Sequence, residues 1–199
     1  LKKQGDKCIS QPIKRTSRRF ENKEEDEQSK INLANDPKER SENIMIVDLV
    51  RNDLSKIAQK DSVAVEELCQ IYSFLQVHQM ISTVTSAIKP EFSAVDVLKA
   101  TFPMGSMTGA PKISAMTCIE ELEETKRGLY SGSIGYFTPE NDFDFNVVIR
   151  SILYNEAEKY VSFSVGSAIT SKSEPESEYE ECLLKARAMR LVLNDKELV

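Results

Sequence analysis

Two pairs of glutamates, each pair three residues apart, are the strongest candidates for chemistry in this sequence. The first pair is Glu39 and Glu42, and the second is Glu178 and Glu181. Residues three apart on a helix share a face, so each pair can point at one spot. Mg²⁺ takes oxygen ligands, keeps several waters and uses one or two protein carboxylates plus an anionic group of a substrate. The chain has one histidine and no clustered cysteines, so these carboxylates are its best candidates for an Mg²⁺ site.

The same residues also fit helix caps. Residues 36–39 match a capping box with Pro37 at the first helical position, and residues 173–176 have the same form. Glu181 and Lys185 make an ordinary i, i+4 helix pair. Spacing alone therefore leaves both a metal site and two capped helices open.

Composition places the chain among globular proteins of ordinary make-up. Its 199 residues are enough for one sizeable domain, and 40% are hydrophobic and 29% charged. A net charge of −6 argues against a nucleic-acid partner, because phosphate binding needs a basic surface. No apolar run approaches the roughly 18 residues of a membrane span, and the basic start lacks the apolar core of a secretory signal. We therefore expect no membrane association and a cytoplasmic location.

The four cysteines are far apart and include no CxxC pair. In a cytoplasmic chain this pattern is typical of reduced thiols that fill space. None of the four is a candidate nucleophile.

Charge is unevenly distributed at the start of the chain. Residues 1–19 hold seven lysines and arginines against one acid, Asp6, and an acidic run follows at residues 21–27. This pattern predicts a solvated loop segment over residues 1–35, ahead of a structured core at 36–194. An alternative function for the basic part is to dock an acidic partner, in which case the chain would be a non-catalytic binding module.

Apolar spacing predicts individual helices and strands along the first two thirds of the chain. A helix is expected from 36 to about 57, with the apolar residues 44–47 buried at its middle. Residues 74–88 read as a strand, 93–102 as a short capped helix, and 111 to about 124 as another helix.

A glycine-containing segment, residues 105–112, runs into the last of these helices. The free N–H groups at such a helix start suit an anion. The segment is not a P-loop, because Ala110 and Pro111 separate Gly109 from Lys112. The later glycines also miss the GxGxxG spacing, so a dinucleotide site is not expected.

The last third has the clearest strand pattern. Apolar and polar residues alternate over 143–150, and a turn at 155–156 leads into a second alternating run at 161–165. Arg150 would then lie opposite the aromatic stripe, on the face of Asp144 and Asn146. It is either a carboxylate clamp or the partner of Asp144.

A final helix is predicted from about 174 to 194. Four apolar residues at helical spacing should face a core. They are Leu183, Ala186, Met189 and Leu193.

Several strings of this sequence, in order from about residue 12 to 190, are informative when taken together. They are residues 36–43, 47–54, 102–103, 109–112, 127–132, 149–151 and 173–176, with Lys185-Ala186 at the end. These strings resemble those of the chorismate-utilising enzymes. This family includes anthranilate synthase component I, aminodeoxychorismate synthase component I, isochorismate synthase and salicylate synthase.

The resemblance implies an α+β fold, a two-layer core of large antiparallel sheets flanked by helices. Family members run to more than twice this length, and the strings begin partway through their chorismate-binding domain. Residues 1–199 are thus expected to be the C-terminal part of that domain, about half of its core, without the upstream half. We expect exposed apolar edges that the upstream half or another chain would cover.

The resemblance also implies a metal site. Glu42 and Glu181 would bind Mg²⁺, with Glu39 and Glu178 in supporting or water-linked roles. The ion would hold the ring carboxylate of chorismate.

The same comparison implies how the rest of the substrate is held. Tyr130 and Arg150 resemble the pair that holds the enolpyruvyl carboxylate, and an arginine fork suits that geometry. Gly166 resembles a glycine whose neighbouring backbone amides approach the substrate, and Lys185 resembles a lysine at the site. Pocket-lining residues are expected at Thr108, Gly109 and Ala110, in a segment that runs to Lys112.

Residues 12–16 resemble the Pro-Ile-Lys-Gly-Thr string of aminodeoxychorismate synthases. The implied role of Lys14 is to attack C2 of the ring and expel the C4 hydroxyl, after which ammonia enters at C4 and releases the lysine. The product would be 4-amino-4-deoxychorismate, on the route to p-aminobenzoate and folate, and a separate glutamine amidotransferase would supply the ammonia. A lysine amine is protonated in neutral water, so this role requires desolvation or nearby positive charge, for which Mg²⁺ and Arg15 are candidates.

Two positions depart from the family pattern. Arg15 replaces a glycine, which changes the backbone freedom at that point. Gln79 stands where many relatives have a histidine linked to loss of pyruvate, and glutamine cannot shuttle protons. This favours an enzyme that stops before elimination, and the alternative is anthranilate synthase component I, which makes anthranilate and pyruvate.

Overall fold

The computed structural model describes residues 1–75, 77–171 and 173–194, and within these ranges helices and antiparallel strands are mixed. The helices are α1 (Lys23–Asn35), α2 (Pro37–Ser55), α3 (Ala94–Thr101), α4 (Lys112–Leu122) and α5 (Pro175–Asn194). The strands are β1 (Lys2–Gln4), β2 (Lys7–Ser10), β3 (Ile13–Arg18), β4 (Ala64–Ser73), β5 (Val77–Ala87), β6 (Ser133–Phe137), β7 (Phe143–Val147), β8 (Leu153–Asn155) and β9 (Tyr160–Ser162). The predicted α+β class is confirmed.

Strand β5 is the centre of a seven-stranded sheet. The sheet order is β3-β5-β2-β1-β7-β6, and β4 also pairs with β5. Strands β2 and β3 pair with successive parts of β5 along one of its edges. Strand β4 pairs with many of the same β5 residues and therefore occupies the opposite edge. Strands β8 and β9 form a separate hairpin.

The chain divides into two compact units. Unit 1 comprises Leu1–Glu124 with Gly135–Asn146, and unit 2 comprises Thr125–Ile134 with Val147–Val199. This division differs from the predicted boundary at residue 35.

The core of unit 1 lies where α2 and α3 pack on the sheet. Side chains from both helices and from three strands or their flanks are buried together, so the helices are fixed to β5 by apolar contact. The cluster consists of Cys8, Val47, Leu54, Ile57, Val84, Ile88, Val97 and Phe143. Burial raises the pKa of the Cys8 thiol to about 11, which suits a space-filling and not a nucleophilic role.

Both predicted helix caps in unit 1 are confirmed. The side chain of Asp36 accepts hydrogen bonds from the N–H groups of Lys38 (3.0 Å) and Glu39 (3.2 Å), with proline next in the chain. At α3 the cap is reciprocal, because Ser93 accepts from the N–H of Asp96 and the Asp96 carboxylate accepts from the N–H of Ser93.

Residues 1–35, predicted as a loop segment, instead contain β1, β2, β3 and α1. The basic residues are not left as a solvated run, because acids far along the chain pair with them. Lys3 lies 3.4 Å from Asp142, and Lys7 lies 2.9 Å from Glu66. Pairing of this kind allows a charged segment to join a sheet.

The predicted strand over 74–88 corresponds to β5 alone. Residues 74 and 75 belong to the turn between β4 and β5, and β4 was not predicted. Residues 44–47 were expected to be buried together, but only Ile46 and Val47 are, while Ile44 and Met45 are each 39% exposed. Helix periodicity explains this, since adjacent residues face different ways.

The C-terminal strands are shorter than predicted. Strand β7 ends at Val147, and the hairpin that turns near residue 156 is formed by β8 and β9. Arg150 therefore lies outside the described strands, with φ 49°. The prediction that it shares a strand face with Asp144 and Asn146 is wrong.

The later helices expose part of their apolar faces. In α5, Ala186 and Met189 are buried as predicted, but Leu193 is 44% exposed. In α4, Ile113 and Leu122 are mostly exposed. Helix α5 begins at Pro175, and the Ser173 hydroxyl of the predicted capping box bonds to Ala168 O and Thr170 N. None of the described helices is both long and apolar enough to cross a membrane.

Asp26 ties α1 to the strands and makes part of the stability dependent on pH. Its carboxylate accepts from Arg19 Nε (2.9 Å) and from the Phe20 N–H (2.9 Å), and His78 Nε2 lies 3.0 Å away. The arginine hydrogen bond, followed by the Phe20 N–H, lowers the pKa of Asp26 to about 2. A lowered folded-state pKa stabilises the fold above the unfolded value and loses that effect as pH falls towards 2.

Asp26→Asn is accordingly expected to lower the melting temperature at pH 7 and to differ less from the parent chain as pH falls from about 4 to about 2. Thermal unfolding of both proteins across this range measures the effect. Glu27→Gln, at a neighbouring exposed residue paired with Lys30 at 3.6 Å, is the matched control. A constant difference between Asp26→Asn and the parent at every pH would contradict the linkage.

Candidate functional site

Lys14 and Glu42 lie together in unit 1. Lys14 is opposite Met80 on β5, and the register shifts between Lys14 and Thr16, so Arg15 is the extra residue of a bulge. The Lys14 ammonium donates to Glu42 Oε2 at 3.3 Å, and both side chains remain about one-fifth exposed. A bulge re-aims side chains next to it, and here it lies beside the lysine.

Glu39 lies one turn before Glu42 on α2. The side of the helix that carries Glu39 is covered, leaving this residue only 6% exposed. The two carboxylates supply oxygen donors from one rigid helix, which fits the ligand chemistry of a hard cation.

Asn43 fixes this turn of α2 to the sheet. It is fully buried, and its Oδ1 accepts from the Ser82 hydroxyl on β5 and from Cys69 Sγ (3.5 Å) on β4. The neighbouring Glu42 is therefore presented by a helix that cannot easily slide along the strands. The sequence motif includes Asn43, but its role as an anchor was not predicted.

In unit 2, four of the predicted site residues form one connected group. Lys185 donates to the carbonyl of Gly166 at 2.9 Å and lies 2.6 Å from Glu181. A Cβ built on Gly166 would lie 2.9 Å from the Tyr130 hydroxyl, so the Gly166 backbone approaches this side chain closely. Helix α5 thus holds the Gly166 backbone beside Tyr130.

Glu178 belongs to the same region. It lies one turn before Glu181, and its Oε2 accepts a short hydrogen bond from the Ser167 hydroxyl. Ser167 was not among the predicted site residues, so its contact with Glu178 was not foreseen. The available signal in the sequence was a hydroxyl-bearing residue, Ser167, directly after Gly166.

Arg150 is also in unit 2, and it is exposed after the end of β7. Its left-handed backbone, with φ 49°, is uncommon for arginine. Such a conformation outside regular structure is found at binding sites more often than elsewhere.

The glycine-containing segment lies in unit 1, away from Lys14 along α2. It includes a short 3₁₀ turn, Gly105–Met107, and the Thr108 hydroxyl donates to Met104 O at 3.1 Å. A Cβ on Gly109 would meet Ala115 at 3.0 Å, so the backbone approaches α4 closely. Lys112, expected to line the pocket with this segment, pairs with Asp53 of α2.

Gln79 lies opposite Thr16 in the sheet. Its Nε2 is 3.5 Å from Thr16 Oγ1, and the neighbouring His78 is buried. Gln79 thus pairs directly beside the bulge, one pairing position from Lys14.

The glutamate pairs belong to different units. Within the described ranges, no group of three or more histidine, cysteine, aspartate or glutamate side chains is close enough to hold a metal ion. Each pair by itself offers the carboxylate donors that Mg²⁺ takes. The shared ion between Glu42 and Glu181 stays a prediction.

A family model described as chorismate binding enzyme matches residues 1–191. The chain is 44% identical over 186 residues to a protein of Oryza sativa subsp. japonica named probable aminodeoxychorismate synthase, chloroplastic, covering 94% of this chain and 21% of that protein. It is 41% identical over 180 residues to a protein of Aquifex aeolicus named anthranilate synthase component 1, covering 90% of this chain and 36% of that protein.

A solved structure shows the same fold. The crystal structure of anthranilate synthase component I from Streptococcus pneumoniae TIGR4 matches 94% of this chain and 41% of its own, with a TM-score of 0.82 and 35% identity. The chain thus spans less than half the length of each of these proteins, as the resemblance implied.

Proposed function

Because the chain belongs to the family of chorismate binding enzymes, we propose that the protein of which it is part converts chorismate and ammonia into 4-amino-4-deoxychorismate. The observation that carries this proposal is the contact between Lys14 and Glu42. Lys14 lies next to the bulge of β3, and Glu42 lies in the N-terminal half of α2. The name of the Oryza sativa relative supports the same reaction.

Lys14 is the proposed nucleophile. Its amine forms a bond to C2 of the ring while the bond from C4 to the hydroxyl breaks. Ammonia then forms a bond to C4, and the bond between the lysine and C2 breaks, which regenerates the amine. The sum is loss of one water from chorismate and ammonia, so no oxidant or reductant is needed.

Glu42 positions the amine that this reaction needs. A covalent nucleophile is effective only when it is held in the geometry of attack. The 3.3 Å contact holds Lys14 against α2, and the Asn43 anchor holds α2 against the sheet.

The proposed metal site uses Glu42 and Glu181, supported by Glu39 and Glu178. A bound Mg²⁺ would supply positive charge to hold the ring carboxylate of chorismate. In this structure each of the two proposed direct ligands faces a lysine, since Glu42 pairs with Lys14 and Glu181 pairs with Lys185.

The remaining site residues are proposed to hold the substrate. Tyr130 and Arg150 would bind the enolpyruvyl carboxylate, and the backbone at Gly166 would approach the ring. The close approach of Gly166 to Tyr130 and its bond to Lys185 support this grouping. Thr108, Gly109 and Ala110 would line the pocket.

Ammonia would come from a glutamine amidotransferase subunit. The Aquifex aeolicus relative is named as a component 1, which supports the existence of a partner component. The product would feed p-aminobenzoate and folate synthesis, in the cytoplasm.

The second candidate is anthranilate synthase component I, favoured by the Aquifex aeolicus relative and the Streptococcus pneumoniae structure. Gln79 argues against it, because glutamine lacks the proton-transfer ability that loss of pyruvate would need. The alternative of a non-catalytic module that docks an acidic partner is weakened by internal pairing of its cations, including Lys3 and Lys7.

Product analysis tests these functions directly. The complete protein is incubated with chorismate, ammonium and Mg²⁺, and the expected product is 4-amino-4-deoxychorismate without release of pyruvate. Anthranilate with stoichiometric pyruvate would overturn the proposal in favour of the second candidate. A binding module would give neither product and would show no strengthening of chorismate binding by Mg²⁺.

A further inference from the structure

One ammonium group joins three helices of unit 1. Lys112 is the first residue of α4, and its Nζ makes a short ion pair with Oδ2 of Asp53 on α2. The same Nζ donates to the carbonyl of Thr101, the last residue of α3, at 3.3 Å. Residues 102–111 connect α3 to α4, so both ends of this segment meet at one side chain.

The contact is buried, unlike most ion pairs among the described residues. The side chain of Asp53 is 5% exposed and that of Lys112 is 13% exposed. Removing one partner of a buried pair leaves a charge without compensation, and this is strongly unfavourable. A lysine at the first position of a helix is also disfavoured by the helix dipole, so its presence here calls for a specific partner.

Asp53 has a second, exposed partner. Its Oδ1 lies 2.9 Å from Lys56, whose side chain is 50% exposed. The two lysines therefore bind the two oxygens of one carboxylate in contrasting surroundings. An exposed pair contributes little, which makes Lys56 a natural control.

The segment touches α2 at a second point, one helical turn earlier. A Cβ on Gly105 would lie 2.9 Å from both Cβ and Cδ1 of Leu49, so the backbone of the 3₁₀ turn rests on α2 with no room for a side chain. Leu49 and Asp53 are four residues apart and share a face of the helix. Helix α2 thus holds the segment by an apolar contact near its middle and by an ion pair at its ends.

We propose that Asp53 and Lys112 are positioning residues that hold the segment 102–111, and with it Thr108, Gly109 and Ala110, in the conformation that receives chorismate. Lys112 acts on the substrate only through this segment and is not itself a ligand of a substrate carboxylate. The effect on chorismate rests on the proposed function, whereas the effect on the segment does not.

Hydrogen exchange of the complete protein without substrate tests the structural part. Lys112→Met keeps the length of the side chain and removes its charge, and Asp53→Asn is a milder change should the first variant fold poorly. We expect amides of residues 105–110 to exchange at least about tenfold faster in either variant, because one partner of the buried pair is lost. In Lys56→Met they should stay within about twofold of the parent.

Two results would overturn this part. One is unchanged exchange at 105–110 in a folded Lys112→Met protein. The other is an equal rise throughout α2, α3 and α4, which would show a general loss of stability instead of release of the segment.

Kinetics test the link to the substrate. Both variants are expected to raise KM for chorismate about tenfold while kcat changes by less than about threefold, since binding and not the chemical step is impaired. The double variant should be no worse than the worse single variant, because the two residues act as one pair. Additive losses, or a fall in kcat with KM unchanged, would contradict a positioning role.

The two failures are distinguishable. If the parent protein does not turn over chorismate, the proposed function fails, and the exchange comparison still decides whether Lys112 and Asp53 hold the segment.

Discussion

Replacing Lys14 by alanine is expected to lower formation of 4-amino-4-deoxychorismate by on the order of 10³-fold or more, because the nucleophile of the proposed covalent step is lost. The complete protein is assayed with ammonium as the nitrogen source, so that the result does not depend on an amidotransferase. Chorismate binding should change far less than turnover, since Lys14 is proposed to react with the ring and not to hold a carboxylate.

Two further variants separate nucleophilicity from charge. Lys14→Arg keeps a cation beside Glu42 but offers no reactive amine at neutral pH, so it should be nearly as inactive as the alanine variant. Lys7→Ala removes a lysine of the neighbouring strand that pairs with Glu66 at 2.9 Å, and it should retain activity. Unchanged turnover in Lys14→Ala would eliminate the covalent role, and recovery in Lys14→Arg would assign the lysine an electrostatic one.

Glu42→Gln and Glu181→Gln are expected to raise the Mg²⁺ concentration for half-maximal activity by about 10- to 100-fold each, since an amide oxygen carries no charge to bind the ion. Activity is measured over a range of Mg²⁺ at saturating chorismate. The two variants should behave alike, although their residues come from helices in different units.

Controls for this pair are available on the same two helices. Asp48→Asn on α2 changes a carboxylate that is 63% exposed and paired with Arg51, and Glu180→Gln on α5 changes an exposed neighbour of Glu181. Both should leave the Mg²⁺ dependence unchanged. A normal Mg²⁺ dependence in either Glu42→Gln or Glu181→Gln would remove that residue from the ligand set.

Short-range features of this fold could be predicted from the sequence. The cap at residue 93 could be predicted because capping hydrogen bonds span only three residues, and the cap at Asp36 and Pro37 could be predicted for the same reason. Such contacts depend on neighbours in the chain, and local spacing is enough to reveal them. The order of the family strings added the fold class, which no local pattern supplied.

Long-range pairing could not be predicted in the same way. Strand β1 pairs with β7, about 140 residues away, and the charges of residues 1–19 made this segment resemble a loop. The partners that neutralise them, such as Asp142 for Lys3, have no signature near the lysine itself. Similarly, β4 was missed because its alternation includes exposed glutamates such as Glu66.

The ion pair between Asp53 and Lys112 was missed although a signal existed. The buried face of α2 includes Ile46, Val47 and Leu54, and Asp53 falls on it. A carboxylate at an apolar position calls for a cation, but 59 residues separate it from its partner. The sequence motif had suggested only that the segment ending at Lys112 lines the pocket, and this stays a prediction.

Helix α2 carries Glu42 near its start and Asp53 near its end, eleven residues further on (53 minus 42). At about 1.5 Å per residue this fixes a separation of about 16 Å along the axis, and about 100° of rotation accompanies each residue. A single inserted or deleted residue between them would swing the carboxylate away from Lys14 or release the connection between α3 and α4. Evolutionary change in this stretch is therefore confined to substitution, and its length should be constant among proteins that share this geometry.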